Sequence, residues 1–146
     1  MVPQDLGSTG PGVLVVEDTA DVRQLLGFAL PRLGSPVWLA DGGREAVRLY
    51  REHRQEIGVV LLDVRMPDLD GPATLAALQE LDPAVRVVFM TGHTGPYTAE
   101  ELLALGAARV LEKPFGSLVE LARTLREVAQ AQAPPSSGEP RSRQDT

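Results

Sequence analysis

The chain contains no cysteine. Disulfide staples, thiolate catalysis and zinc–thiolate centres are thereby excluded. It has no apolar run near the roughly 18 residues that a membrane span needs, and no basic-then-apolar segment at its start. The expectation is a soluble, cytoplasmic protein that makes no use of a membrane. A basic stripe is missing as well. Formal net charge is -6 and the pI is about 4.9, which argues against a surface built for nucleic-acid phosphates. Arg141 and Arg143 form the one basic cluster near the end, within a polar stretch that reads as solvated.

What remains is ordinary for a folded protein. The 146 residues are 43% hydrophobic and 23% charged, enough for one domain with a real core. Residues 1–11 mix Pro, Gly, Ser and Thr and read as a flexible leader. Residues 132–146 carry no apolar face and read as a disordered tail. The folded unit is expected over 12–131, with no output domain after it.

Inside that unit short apolar strands alternate with helical patterns. Strands are expected at Val13–Val16, Val37–Ala40, Ile57–Leu62, Val85–Met90 and Ala108–Leu111. Helices are expected from Ala20 to Leu33, after Gly43, after Pro72, over Thr98–Leu105 and from Ser117 to about Ala131. Pro31 should kink or fray the first helix near its end. Five βα units in order imply an α/β fold, a doubly wound five-stranded parallel sheet with helices on both faces. Strands one, three and four are apolar apart from Arg86, as strands covered on both sides are. Spacing leaves the strand order open. In the order 2-1-3-4-5 the ends of strands one and three would be neighbours.

Four of the five strand ends carry chemistry. Val13–Val16 leads into Glu17 and Asp18, Ile57–Leu62 into Asp63, Val85–Met90 into Thr91, and Ala108–Leu111 into Glu112 and Lys113. Open α/β sheets bind ligands at this carboxyl edge. Three carboxylates that converge repel one another unless protonated or bridged by a cation. An oxygen-only set suits a hard ion such as Mg2+. A lysine and a hydroxyl opposite would complement an anion, and together these make a phosphoryl-transfer site. Each residue alone has a plainer reading: a capping acid pair, a turn aspartate, a strand-end hydroxyl, a solvated lysine. Their joint order carries the argument.

The motifs Leu14-Val15-Val16-Glu17-Asp18, Leu62-Asp63-Val64-Arg65-Met66-Pro67 with Asp70-Gly71, Met90-Thr91-Gly92 and Lys113-Pro114-Phe115 resemble the receiver domain of two-component response regulators, the CheY-like family. The resemblance covers about residues 12–131. It implies the strand order 2-1-3-4-5 and a phosphoacceptor role for Asp63, fed by a sensor histidine kinase or a phosphotransfer protein. It implies Mg2+ held by Asp18 directly, by Glu17 through a metal-bound water, by Asp63, and by the backbone carbonyl of Arg65. It further implies Lys113 as the phosphate partner, Thr91 as the switch hydroxyl and a cis Lys113–Pro114 bond. Arg65, Met66, Pro67, Gly92, His93 and Pro114 flank that site, and Arg65 and His93 are either solvated loop side chains or a screen that keeps water from an acyl phosphate. Val110 stands where the family often has Tyr or Phe, so the aromatic reporter is missing, and Tyr97 is not expected to replace it. His53 is expected to face solvent, and Trp38 to be partly buried.

Such a chain is either a stand-alone regulator acting by protein contact or a piece of a hybrid histidine kinase. Two other functions compete. A haloacid-dehalogenase-like phosphatase also uses an aspartyl nucleophile with Mg2+, but needs a second Asp where Arg65 stands. A flavodoxin-like binding module needs a phosphate loop after strand one, where Glu17-Asp18-Thr19-Ala20-Asp21 would repel a phosphate.

Overall fold

The computed structural model describes residues 10–92, 97–113 and 116–131. Most of the expected leader, the whole expected tail, His93 and the Lys113–Pro114 bond lie outside the described residues.

The elements alternate from β1 (Gly12–Val16) and α1 (Ala20–Arg32) through β2 (Val37–Ala40), α2 (Gly43–His53), β3 (Ile57–Asp63) and α3 (Gly71–Leu81). They continue with β4 (Val87–Thr91), α4 (Ala99–Ala104), β5 (Arg109–Glu112) and α5 (Leu118–Gln130). All strands pair in parallel, in the order β2-β1-β3-β4-β5. Alternation along the strands divides the core in two. Leu14, Val16, Val60, Leu62 and Phe89 join Ala46 and Tyr50 of α2, Leu75 and Leu78 of α3, and Leu102 of α4. Val13, Val15, Val59, Leu61 and Met90 join Leu26 and Leu30 of α1 and Leu121, Leu125 and Val128 of α5. The central strands are thus covered on both faces, as their unbroken apolar runs require.

Local chemistry sets the helix ends. Ser117 caps α5 by accepting from the Glu120 N–H at 3.2 Å. Thr98 and Glu101 form a reciprocal capping box on α4, and Gly106 follows that helix at φ 114°, the left-handed position that glycine fills most easily. Helix α1 runs one residue past Pro31 and ends at Arg32, one residue short of the expected Leu33. At that position the ring removes a single donor from the last turn. Strand β4 starts at Val87 rather than Val85 because the Val85 N–H turns back to the Asp82 carbonyl at 3.0 Å. His53 departs from expectation too. It is half-buried, its ring stacked on half-buried Trp38 at 5.3 Å between centroids.

One close approach ties α3 to the end of β3. The Gly71 N–H donates to the Val64 carbonyl at 2.7 Å. A Cβ at Gly71 would lie 2.8 Å from Val64 Cα and from Phe89 Cε1, and 3.0 Å from the Asp63 carbonyl oxygen. Two of those neighbours are backbone atoms that cannot rotate away. Gly71→Ala is therefore expected to lower stability by about 2 kcal/mol, the usual scale of overpacking, measured as a shift in urea midpoint. An unchanged midpoint would mean that the helix start slides freely against the strand.

Candidate functional site

The order of strands brings four chain-distant residues to one edge. Glu17 follows the last residue of β1, Asp63 and Thr91 close β3 and β4, and Lys113 follows β5. Val16 is in register with Leu62, Asp63 with Met90, and Thr91 with Glu112, which levels the strand ends. The Lys113 N–H bonds the Thr91 carbonyl at 3.0 Å and so fixes where its side chain sets out.

Glu17 is fully buried and Asp63 is 6% exposed. The Lys113 ammonium reaches both, at 2.9 Å from Glu17 Oε1 and 3.3 Å from Asp63 Oδ2. Burial of charge in this way is tolerated only when it is paired. The Glu17 turn is braced further: the Thr19 N–H donates to Glu17 Oε2 at 3.0 Å, and Arg23 Nη1 donates to the Glu17 carbonyl at 2.8 Å. Asp18 is exposed. One carboxylate oxygen from each of Glu17, Asp18 and Asp63 lies within 4.8 Å of the others.

The charges are unequal in effect. Burial, then the neighbouring Glu17 charge, push the Asp63 carboxyl up to about 6, against the pull of Lys113. Burial also works against the Glu17 charge, but the hydrogen bond from Lys113 and that from the Thr19 amide outweigh it, and its carboxyl sits below the ordinary value. Burial opposes the Lys113 charge in turn, and the bond to Glu17 and the charge of Asp63 overcome it, so its ammonium is held more firmly than usual. The result is one cation among three acids, with negative charge left over. An all-oxygen cluster of that span and sign fits a small divalent cation such as Mg2+.

The flanking residues divide. Arg65 and Pro67 are exposed, and with Asp18 and Met66 they line a shallow cleft of about 390 Å³ beside the acids. Met66 flanks the site and is also a core residue, 8% exposed and in the same cluster as Leu62 and Val64. The Thr91 hydroxyl donates to the Gly92 carbonyl at 2.8 Å. Gly92 is exposed, with open space about its Cα. Tyr97 packs on the same cluster as Val110, and its hydroxyl donates to Asp70 Oδ2 at 3.2 Å. Its phenol is thus tied to the N-cap of α3.

Residues 13–126 match the family described as Response regulator receiver domain. The chain belongs to that family. It is 41% identical over 103 residues to the transcriptional regulatory protein ZraR of Escherichia coli strain K12, covering 70% of this chain and 23% of that protein. It is 37% identical over 120 residues to the sensor kinase CckA of Brucella abortus, covering 82% of this chain and 13% of that protein. Among solved structures, the CheX-CheY-BeF3-Mg+2 complex from Borrelia burgdorferi superposes with a TM-score of 0.68 at 30% identity, covering 78% of this chain and 86% of that one. The chain spans less than a quarter of those two curated relatives, so the likeness is to one module of each. A receiver domain is a signalling domain, and the phosphatase alternative finds no support beside this match. Among the described residues no helix is long and apolar enough to cross a membrane.

Proposed function

We propose that this receiver domain accepts a phosphoryl group on Asp63 from a phosphohistidine, carried by a sensor histidine kinase or a phosphotransfer protein, and signals by protein contact. The observation that carries the reading is the Lys113 ammonium held between buried Glu17 and Asp63 at the carboxyl edge of the sheet. In the transfer, an Asp63 carboxylate oxygen forms the bond to phosphorus and the P–N bond breaks. Its electron pair leaves on the imidazole, which takes up a proton. Lys113 exchanges a carboxylate oxygen for a phosphoryl oxygen, and Thr91 turns its hydroxyl from the Gly92 carbonyl to another.

Glu17, Asp18, Asp63 and the Arg65 carbonyl would hold Mg2+, which when bound neutralises charge on the phosphoryl oxygens. Arg65, Met66 and Pro67 line the rim, with Gly92 following Thr91; by the family resemblance His93 and Pro114 would join them, and Arg65 and His93 would limit the approach of water to the acyl phosphate. Support for the metal comes from the acidic cluster itself and from the BeF3 and Mg2+ named for the Borrelia complex.

Incubation with acetyl phosphate and Mg2+ tests this. Intact-mass measurement is expected to show one added phosphoryl group on the wild type and none on Asp63→Asn. Equal labelling of both proteins, or none on either, would overturn the assignment.

A further inference from the structure

The segment between β3 and α3, residues 64–70, carries the Arg65 carbonyl and the rim of the site. Its middle is anchored far away in sequence. The exposed carboxylate of Asp68 accepts from the Gly43 N–H at 3.2 Å through Oδ1 and from the Arg44 N–H at 3.2 Å through Oδ2. It also accepts from its own neighbour, the Leu69 N–H, at 2.7 Å. Gly43 and Arg44 open α2, and their amides have no partner inside that helix. The residue in the N-cap position of α2 is Gly42, which has no side chain to offer. A Cβ at Gly42 would sit 2.7 Å from Asp68 Oδ1, so the missing side chain is what admits the carboxylate. Helix α2 is itself seated in the core by Ala46 and Tyr50, which makes it a firm anchor. The joint continues inward, where the Thr74 hydroxyl donates to the Leu69 carbonyl at 3.2 Å.

We propose that Asp68 is a positioning residue for the Asp63 site: by capping α2 across the fold it holds the 64–70 segment in the shape that presents the Arg65 carbonyl. The proposal rests on the metal-assisted reading above. It makes the carboxylate more than a helix cap, because the helix could be capped from Gly42 itself.

That difference supplies the test. Asp68→Ala removes both the cap and the tether. Adding Gly42→Asp in that background puts an acceptor back on α2 from within its own chain segment, in space that the alanine has vacated, and leaves the segment untethered. Three quantities are read on the unphosphorylated protein: melting temperature, Mg2+ affinity by calorimetry, and amide hydrogen exchange over residues 64–67. Asp68→Ala is expected to weaken Mg2+ binding about tenfold, the lower end for groups that orient a metal's ligands, and to speed exchange over 64–67. The double variant is expected to recover the melting temperature lost by Asp68→Ala, with Mg2+ affinity still low and exchange still fast. Unchanged affinity in Asp68→Ala would overturn the proposal. So would full recovery of affinity in the double variant, since capping α2 would then be the whole role. If the wild type itself bound no Mg2+, the metal-assisted function would fall, while exchange over 64–67 would still decide whether Asp68 holds the segment.

Discussion

Lys113→Ala is expected to melt roughly 10 °C below the wild type at pH 7, a loss of about 3 kcal/mol. The reason is what it leaves behind. Glu17 is fully buried, and the Lys113 ammonium is the one cation bonded to its carboxylate among the described residues. Removing one partner of such a pair usually costs about 3–5 kcal/mol. The lysine side chain is 26% exposed, so water can reach the vacated space, which favours the lower figure. The pH dependence follows from the shifts. Glu17 is held below its ordinary value, so its contribution is present above the unfolded pKa and is lost as pH falls through the folded one. Lys113 is held above its ordinary value, so its share lasts until alkaline pH. The gap between variant and wild type should therefore be wide at pH 7 and narrow toward pH 4, where the orphaned carboxylates take up protons. Mg2+ should restore more stability to Lys113→Ala than to the wild type, because it supplies the charge that was removed. Thermal melts at three pH values, with and without Mg2+, measure all of this. A gap of under 1 kcal/mol, insensitive to pH, would place the pair with exposed ion pairs of little consequence. Lys113 is also the only lysine in the chain, so methyl labelling of amines gives one lysine signal beside that of the α-amine, and the lysine signal reports this site alone.

How far the sequence carries depends on the range of the interaction that decides each feature. Strands β1, β3 and β4 declare themselves because burial on both faces demands an unbroken apolar run, and Val13–Val16 and Val59–Leu62 have one. Caps such as Ser117 and Thr98 are legible because donor and acceptor lie three residues apart. The convergence of Glu17, Asp63 and Lys113 was legible only jointly. Strand ends locate each residue along the sheet, but which ends are neighbours came from the family resemblance, not from spacing. Asp68 could not be found that way. Its partners Gly43 and Arg44 lie 25 and 24 residues earlier, and nothing in a loop aspartate announces which helix it caps. The bare Gly42 before α2 was the one clue, since a helix start without Ser, Thr, Asp or Asn must find its acceptor elsewhere. The Tyr97–Asp70 bond has the same character, joining two loops that only the packed sheet brings together.

Asp63→Asn is expected to be more stable than the wild type at pH 7.5, by about 1–2 kcal/mol. In the folded chain the Asp63 carboxyl is pushed up to about 6, from an ordinary 3.8. The sign follows from that direction. A carboxyl whose folded pKa is raised favours the folded state fully below its unfolded pKa, and that contribution is lost as pH rises through the folded one. Above about pH 6 the wild type carries an ionised, poorly solvated carboxylate beside Glu17, and the native state bears the strain. A gap of about 2 pH units corresponds to about 3 kcal/mol. That gap is already net of the pull of Lys113; a smaller net gain is expected because the asparagine amide is itself a buried polar group that must find partners. Asparagine keeps the shape and drops the charge, so the two proteins should converge in stability near pH 4. Mg2+ should reverse the order at neutral pH, stabilising the wild type and doing little for the variant, since binding of the ion to one conformation raises its stability by mass action. The same ionisation bears on reactivity: only the carboxylate can attack phosphorus, and a bound cation would favour that form. Urea titrations of both proteins from pH 4 to 8, with and without Mg2+, read the two effects together. A variant that is less stable than the wild type at pH 7.5 without metal would show that Asp63 serves the fold rather than straining it, and that its charge is not held in reserve for phosphoryl transfer.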